Sequence, residues 1–417
     1  MNKFNYETLN ELLDDAKNNG YSFPVSGHAA ETLGQELKLD GKSIHSRILA
    51  QPVEGFDAEL DGAPGTRTLE RYKYLVSHGF STLWLESVSV SEQGRSNPAQ
   101  LWITEQNVNK FKEMADVLRA KARTPVYLIV QLTHSGRYSN PKGIPTPICA
   151  FSNPFIQKEN EQIISDKDIR LIEEDYVKAA LLAEQAGFDA VDIRACHGYL
   201  LNEFFSAYQR EGFYGGSFEN RTRFYLETID KVKEAVTSIA VGTRINMYDG
   251  IPYPYGWGTD MQNIEGESLT EPLRLIKKVY ERGINLLNIT SGTGAYSPFV
   301  IRPYDSGGKK PDETQFAGIN RMLTCARQVK KIAPEAIVVA SAFTWLREFG
   351  PDIAAGCIEE NWFDIAGFGR QTIAYPEMAE DLFEHGGLNR DKCCRTCCGC
   401  TALIKDKGEN VRCIFRK

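Results

Sequence analysis

Strand-length and helix-length segments alternate eight times along this 417-residue chain, which predicts an α/β fold, a (β/α)8 barrel of the TIM type, ending in a short cysteine-rich segment. Three observations predict it. Eight short apolar, β-branched segments occupy residues 47–52, 82–86, 126–132, 188–193, 240–247, 285–290, 337–341 and 363–368, a composition suited to parallel strands buried on both faces. Between them lie helix-length stretches such as 166–186 and 271–282, whose apolar residues recur every three or four positions. Finally, Cys393, Cys394, Cys397, Cys398, Cys400 and Cys413 crowd the last residues of a chain that holds 10 cysteines in all.

Taken in order, residues 1–40 read as an accessory helix with its connection, 41–385 as the barrel and 386–417 as the cysteine segment. Long stretches after the first, third and fifth strands account for the excess over a minimal barrel. A doubly wound sheet is the alternative, but no G-x-G-x-x-G follows any strand. The 42% apolar fraction supports a large core, and the net charge of −7 without any Lys/Arg-rich run argues against nucleic acid or an anionic membrane as partner. The polar, acidic start MNKFNYETLNELLDDAKNNG does not read as a signal peptide, and no stretch approaches the ~20 apolar residues of a membrane span. The expectation is a protein of a reducing cytoplasm. An added N-terminal helix is also a common device for docking a second copy.

The cysteines set the chemistry. Cys394, Cys397, Cys400 and Cys413 read C-x2-C-x2-C-x12-C, with a polar, charged loop expected over residues 401–412. Four thiolates spaced in this way suit a 4Fe–4S cluster, which would make the protein oxygen-sensitive. Zinc also takes four cysteines, usually as two separated C-x2-4-C pairs. Disulfides are the third reading, without upstream signs of secretion.

The end of the fourth strand carries Arg194-Ala195-Cys196-His197-Gly198-Tyr199-Leu200-Leu201-Asn202, followed by Tyr214-Gly215-Gly216-Ser217-Phe218-Glu219-Asn220-Arg221-Thr222-Arg223-Phe224. This pair closely resembles the signature of the Old Yellow Enzyme family of FMN-dependent barrels. Gln131-Leu132-Thr133-His134-Ser135-Gly136-Arg137, Gly242-Thr243-Arg244 and Gly369-Arg370 match further family segments in order. The cysteine spacing is similar to the family's iron–sulfur branch, which includes trimethylamine dehydrogenase and 2,4-dienoyl-CoA reductase. That branch usually leaves three residues between its second and third cysteines, so Cys398 is the alternative to Cys397 as second ligand.

The resemblance implies that Tyr199 protonates the substrate carbon, a phenol of pKa near ~10 being protonated at neutral pH. Its alternative is a buried structural tyrosine. Arg194 and His197 match the positions that grip the substrate's electron-withdrawing group, where the family usually has His or Tyr in place of the arginine. A guanidinium suits a carboxylate or a polarised carbonyl; pairing of Arg194 with a nearby acid such as Glu54 is the alternative. Gln131 and Arg244 match the residues that bond the flavin ring, with a barrel-core ion pair as the other reading of Arg244. Ser341 and Ala342 stand where the family usually has the two phosphate-binding glycines, and Gly369 and Arg370 complete that site. Pro52, Val53 and Glu54 fall where the first strand meets the flavin, and Ser87 beside its ring. Glu54 replaces the usual Thr or Cys and is expected to tune the flavin or relay a proton. His134 and Arg137 would either close over the flavin or serve the loop, while Cys149, Cys196, Cys325 and Cys357 read as packing thiols.

The implied activity is reduction of an activated C=C bond in an enone or enoate by an FMN- and 4Fe–4S-containing enzyme of anaerobic metabolism. Electrons would come from NAD(P)H, a ferredoxin or a separate flavoprotein subunit, since no second dinucleotide motif is present. An amine dehydrogenase, or an electron-transfer flavoprotein subunit without its own substrate, are the alternatives. Residues 142–159 and 248–265 are expected to line the pocket around a bulky planar substrate.

Overall fold

The computed structural model describes residues 3–264, 266–407 and 409–416, the side chains of 405–407 excepted. The chain opens with α1 (Leu9–Asn18), whose Thr8 cap accepts from the Glu11 N–H while Glu11 reaches back to the Thr8 N–H. The short α2 (Ala29–Leu33) and a hairpin of β1 (Leu37–Leu39) and β2 (Lys42–Ile44) follow. Then come β3 (Ile48–Ala50), α3 (Thr66–Ser77), β4 (Thr82–Ser89), α4 (Val108–Lys121) and β5 (Tyr127–Thr133). The loop after β5 carries a two-stranded parallel pair, β6 (Ile148–Cys149) and β7 (Gln162–Ile163), before α5 (Asp166–Gln185). Next are β8 (Ala190–Ile193), α6 (Leu200–Phe205), α7 (Phe218–Ala235), β9 (Ala240–Asn246), α8 (Thr270–Glu281) and β10 (Leu286–Thr290). The chain continues through α9 (Pro298–Ile301), α10 (Gln315–Ile332), β11 (Ile337–Ala340), α11 (Gly350–Glu359) and β12 (Ile365–Phe368). It ends with α12 (Arg370–Ala374), α13 (Met378–His385) and α14 (Gly399–Lys407).

Strands β3, β4, β5, β8, β9, β10, β11 and β12 pair in that order, all parallel, and β12 returns to β3 to close the barrel. All eight lie within or overlap the segments expected from sequence. Their residues are buried almost throughout, which is why they read as continuous apolar runs. The large core lies between the strands and the surrounding helices. A second core fills the barrel's interior with Leu49, Trp84, Ile129, Leu286, Val339 and Ile365. The hairpin plugs its floor with Leu39 and Ile44, and Lys42 is tied to Asp189 at 3.0 Å. This hairpin was not expected, because strands of three residues carry too little pattern to stand out. Among the described residues no helix is long and apolar enough to cross a membrane.

Candidate active site

A cavity of about 920 Å³ opens at the C-terminal end of the barrel strands, at the upper end of the ~300–1,000 Å³ typical of small-molecule sites and roomy enough for a cofactor and a substrate together. Its lining includes Pro52, Val53 and Glu54 after β3, Ser87 on β4, Gln131 on β5 and Arg244 on β9. Arg194, His197 and Tyr199 after β8, Ser341 and Ala342 after β11, and Gly369 and Arg370 after β12 share it. The fold thus gathers these thirteen residues, all singled out from the sequence, around one cavity.

Three of these strand ends are locked by one polar chain. Asp192 on β8 accepts from Trp84 Nε1 and Gln131 Nε2, each at 2.7 Å, and from the Arg244 N–H at 2.6 Å. Ser87 Oγ donates to Gln131 Oε1 at 2.9 Å, a position reached through a register shift in β4 between Trp84 and Ser87. The Gln131 amide is thereby fixed, with one N–H left for the cavity. Burial raises the Asp192 carboxyl to about 6, against the bonds it accepts. A folded value above the unfolded ~3.9 means that the folded protein holds the extra proton between the two. This contribution therefore favours folding at low pH and is lost as pH rises through about 6. Asp192→Asn is expected to remove that slope from urea-unfolding stability measured between about pH 4 and 7; an unchanged slope would place its origin elsewhere.

After β8 the backbone turns through two consecutive left-handed residues, His197 (φ +63°) and Gly198 (φ +77°). A Cβ on Gly198 would meet Thr293 at 2.9 Å, so the turn also needs glycine's lack of a side chain. The His197 conformation is strained for a non-glycine residue. It is held by the Asn246 side chain on the His197 N–H and by Thr290 Oγ1, 3.0 Å from Nε2. Tyr199 emerges as the N-cap of α6, with its hydroxyl 3.4 Å from Glu54 Oε1 and its ring 5.3 Å from that of Tyr138. The signature's second half is structural. Arg221 on α7 donates to Gly216 O, Phe205 O and Glu271, binding α6 to its successor.

Charge in the cavity is uneven. Arg194 donates to Glu54 Oε1 at 3.1 Å and to Ser87 Oγ, and its guanidinium lies over the Tyr199 ring, 3.5 Å from the centroid. Of the readings of Arg194, the pairing with Glu54 is the one present, and the residue also lines the pocket. Burial works against its charge, but Tyr199, Cys196 and Glu54 prevail and keep it firmly protonated. Burial raises the Tyr199 phenol above its ordinary value, an effect that Arg194 offsets only in part. Burial, then Arg244, Arg194 and Arg302, pushes His197 well below its usual value, so its imidazole is neutral at pH 7.

Arg244 has no carboxylate within ion-pair distance among the described residues, and its Nε lacks a hydrogen-bond partner. The barrel-core ion pair considered for it is therefore not formed. Arg370 spans to Pro303 O at 2.9 Å but leaves Nη1 unpartnered, and the half-buried Arg302 beside it leaves Nε unpartnered. Burial and the neighbouring Arg370 lower the Arg302 guanidinium. A buried, unpaired guanidinium is costly. Three guanidiniums with an unpartnered nitrogen around one cavity, Arg244 buried and Arg302 and Arg370 half-buried, fit an anionic, phosphate-bearing cofactor such as FMN, with Arg244 suited to the ring and Arg302 and Arg370 to anions. Arg302, in the loop after α9, could not be found from sequence because nothing local marks it.

Ser341 Oγ accepts from Gln51 Nε2 at 2.8 Å, and Ala342 adopts the left-handed region (φ +88°) that glycine would take more easily. His134 is buried away from the cavity, where its Nδ1 accepts from the Gly136 N–H and burial lowers it to about 3. Arg137 reaches the lining but is tied to Glu161, Glu203 and Phe151 O. Of the loops expected to line the pocket, Pro145, Pro147 and Lys158 do so. Residues 248–265 do not, Glu265 lying outside the described residues. Trp257 is instead buried between Phe205 and Phe218 and donates to Asn246 O, because its large apolar surface packs against α6 and α7.

The tail approaches the same cavity. All ten cysteines are free, and Cys400 with Thr401 and Ile404 lines the cavity wall. A loop was expected over residues 401–412, but residues 399–407 form α14; the run of charged residues there disguised the helix in the sequence. Cys394 is raised to about 11 by burial, which Arg370 opposes and nearby Cys400 and Cys397 reinforce. Cys398 faces Arg302 and Tyr304 and also neighbours Cys400. A Cβ on Gly399 would meet Ile414 at 2.5 Å, so the segment carrying Cys413 folds back against the start of α14. Among the described residues no three Cys, His, Asp or Glu side chains are gathered to hold a single metal ion.

Residues 33–389 match the NADH:flavin oxidoreductase / NADH oxidase family. The chain is 26% identical over 396 residues to an NADH oxidase of Thermoanaerobacter brockii, covering 91% of this chain but only 55% of that protein. It is 26% identical over 367 residues to 12-oxophytodienoate reductase 7 of Oryza sativa subsp. japonica, covering 83% of this chain and 86% of that one. Among solved structures, a 2-naphthoyl-CoA reductase in complex with 2-naphthoyl-CoA superposes with a TM-score of 0.76 at 21% identity, over 93% of this chain and 57% of its own.

Proposed function

Because the chain belongs to the NADH:flavin oxidoreductase / NADH oxidase family, we propose that it is an FMN-dependent oxidoreductase that reduces a C=C bond conjugated to an electron-withdrawing group. The observation that carries this reading is a protonated phenol, a neutral imidazole and three unpaired guanidiniums around one cavity. FMN, when bound, supplies the hydride that reaches the β-carbon. Gln131 and Arg244 hold the ring, and Ser341, Ala342, Gly369 and Arg370 receive its phosphate. Pro52, Val53 and Ser87 form walls of the same site. Tyr199 gives its proton to the α-carbon and regains one from solvent, while His197 and Arg194 steady the charge that develops on the substrate's oxygen. The two electrons come from NAD(P)H or an external carrier, in keeping with the names of the relatives.

The tail is proposed to hold a 4Fe–4S cluster on Cys394, Cys397, Cys400 and Cys413, which would pass single electrons at the cavity wall. A cluster seats each cysteine on a different iron and so asks for a wider ring than one zinc ion. The Cys394 thiol has Cys397 and Cys400 as neighbours, which favours Cys397 over Cys398. The free thiols suit a reducing cytoplasm. An amine dehydrogenase is less favoured, because Arg194 already occupies the face of Tyr199 that an alkylammonium would seek. The test is anaerobic purification with iron, sulfide and flavin analysis, then stopped-flow reoxidation of the reduced protein by enones and enoates. Fast reoxidation by one class supports the reading; flavin and iron without reoxidation would refute it.

Arg244→Met is expected to weaken FMN binding about 10–100-fold, the value of one charge-assisted hydrogen bond. Fluorescence titration of the apoprotein with FMN would measure it. Unchanged affinity would remove Arg244 from the flavin site.

A further inference from the structure

We infer that this pocket selects a neutral conjugated carbonyl (a ketone, aldehyde or thioester) over a free carboxylate, and that Glu54 sets the choice. The inference rests on the ene-reductase reading and narrows its substrate class. Arg194 is the group that a carboxylate would seek, but one of its two outer nitrogens is engaged. Nη1 serves both Glu54 Oε1 and Ser87 Oγ, Nε is buried without a partner, and the guanidinium carbon stands 3.5 Å from the centre of the Tyr199 ring. A carboxylate is gripped best by two parallel N–H groups of one arginine, and here the outer nitrogen that would provide one is already bonded.

Glu54 supplies the repulsive element. Its Oε1 faces Arg194 and Tyr199, whereas its Oε2 is buried without a hydrogen-bond partner and the residue lines the same cavity. A substrate carboxylate approaching Arg194 would meet this second carboxylate in a largely desolvated site, where like charges repel strongly. A carbonyl oxygen carries no such penalty. The neutral imidazole of His197 offers one N–H to it, enough to polarise a carbonyl. Glu54 is thus a specificity-determining residue whose effect passes through Arg194.

The experiment compares cinnamaldehyde with cinnamate, which share a skeleton and differ in charge. Anaerobic reoxidation of the reduced holoenzyme is measured for the unaltered protein, for Glu54→Gln and for Glu54→Gln with Arg194→Met. In parallel, 3-phenylpropionate binding to the oxidised holoenzyme is titrated through the flavin absorbance. Flavin content checks each variant, with Glu54→Thr as substitute where Gln fails to retain it. The expected result is that Glu54→Gln raises the cinnamate-to-cinnamaldehyde ratio of kcat/KM by at least about tenfold, and tightens 3-phenylpropionate equally. The second substitution should reverse both. A ratio and an affinity unmoved by Glu54→Gln, or an unaltered enzyme that prefers cinnamate, would overturn the inference. If neither compound reoxidises the flavin, the ene-reductase reading fails on its own, and the titration still decides whether Glu54 excludes carboxylates.

Discussion

Reduced enzyme carrying Tyr199→Phe is expected to reoxidise with an enone about 10²–10⁴-fold more slowly, the usual contribution of a positioned general acid. Flavin content and the rate of flavin reduction by NAD(P)H are expected to hold. The substitution keeps the ring under Arg194 and removes only the hydroxyl that stands 3.4 Å from Glu54, so lost packing does not confuse the result. The raised phenol keeps its proton through neutral pH and gives it up only to a strongly basic centre such as a developing enolate. Stopped-flow spectroscopy of the two half-reactions separates these effects. A loss of less than about tenfold would assign the proton to water or to another group.

The second large effect is expected in the tail. Cys400→Ser removes the proposed ligand that also lines the cavity. Iron is expected to be lost, together with reduction of a one-electron acceptor such as ferricenium. Reoxidation of the dithionite-reduced flavin by an enone is expected to persist, since that half-reaction uses groups on the barrel. Cys398→Ser, which alters a thiol turned toward Arg302 and Tyr304, is expected to keep its iron. Iron retained in the Cys400 variant, or lost from the Cys398 variant, would require a different ligand set.

The barrel was legible because each of its strands is buried on both faces and must be apolar throughout, which the sequence displays without any partner being known. The positions of Tyr199, Arg244 and Gln131 followed from short motifs at strand ends, where the fold places chemistry. Other features depend on contacts between distant segments. The pairing of Arg194 with Glu54 joins residues 140 positions apart; sequence could name it as an alternative for Arg194 but could not show that it forms. Arg302 gains its meaning from the burial it shares with Arg370. The aromatic run around Trp257 carries the composition of a binding loop, yet its burial against α6 gives it a packing role. Composition reports that an aromatic will be covered, not by what.

The hairpin of β1 and β2 has a kinetic consequence. With Leu39 and Ile44 stoppering one end of the barrel and side chains filling its bore, small molecules reach the chemistry through the opposite mouth alone. On the proposed function, a nicotinamide donor and an organic acceptor would share a single doorway, each leaving before the other enters. Traffic of this kind gives substituted-enzyme kinetics, in which parallel lines replace intersecting ones and surplus acceptor slows turnover by occupying the donor's place. A protein carrier that delivers electrons through the tail would be exempt from the queue.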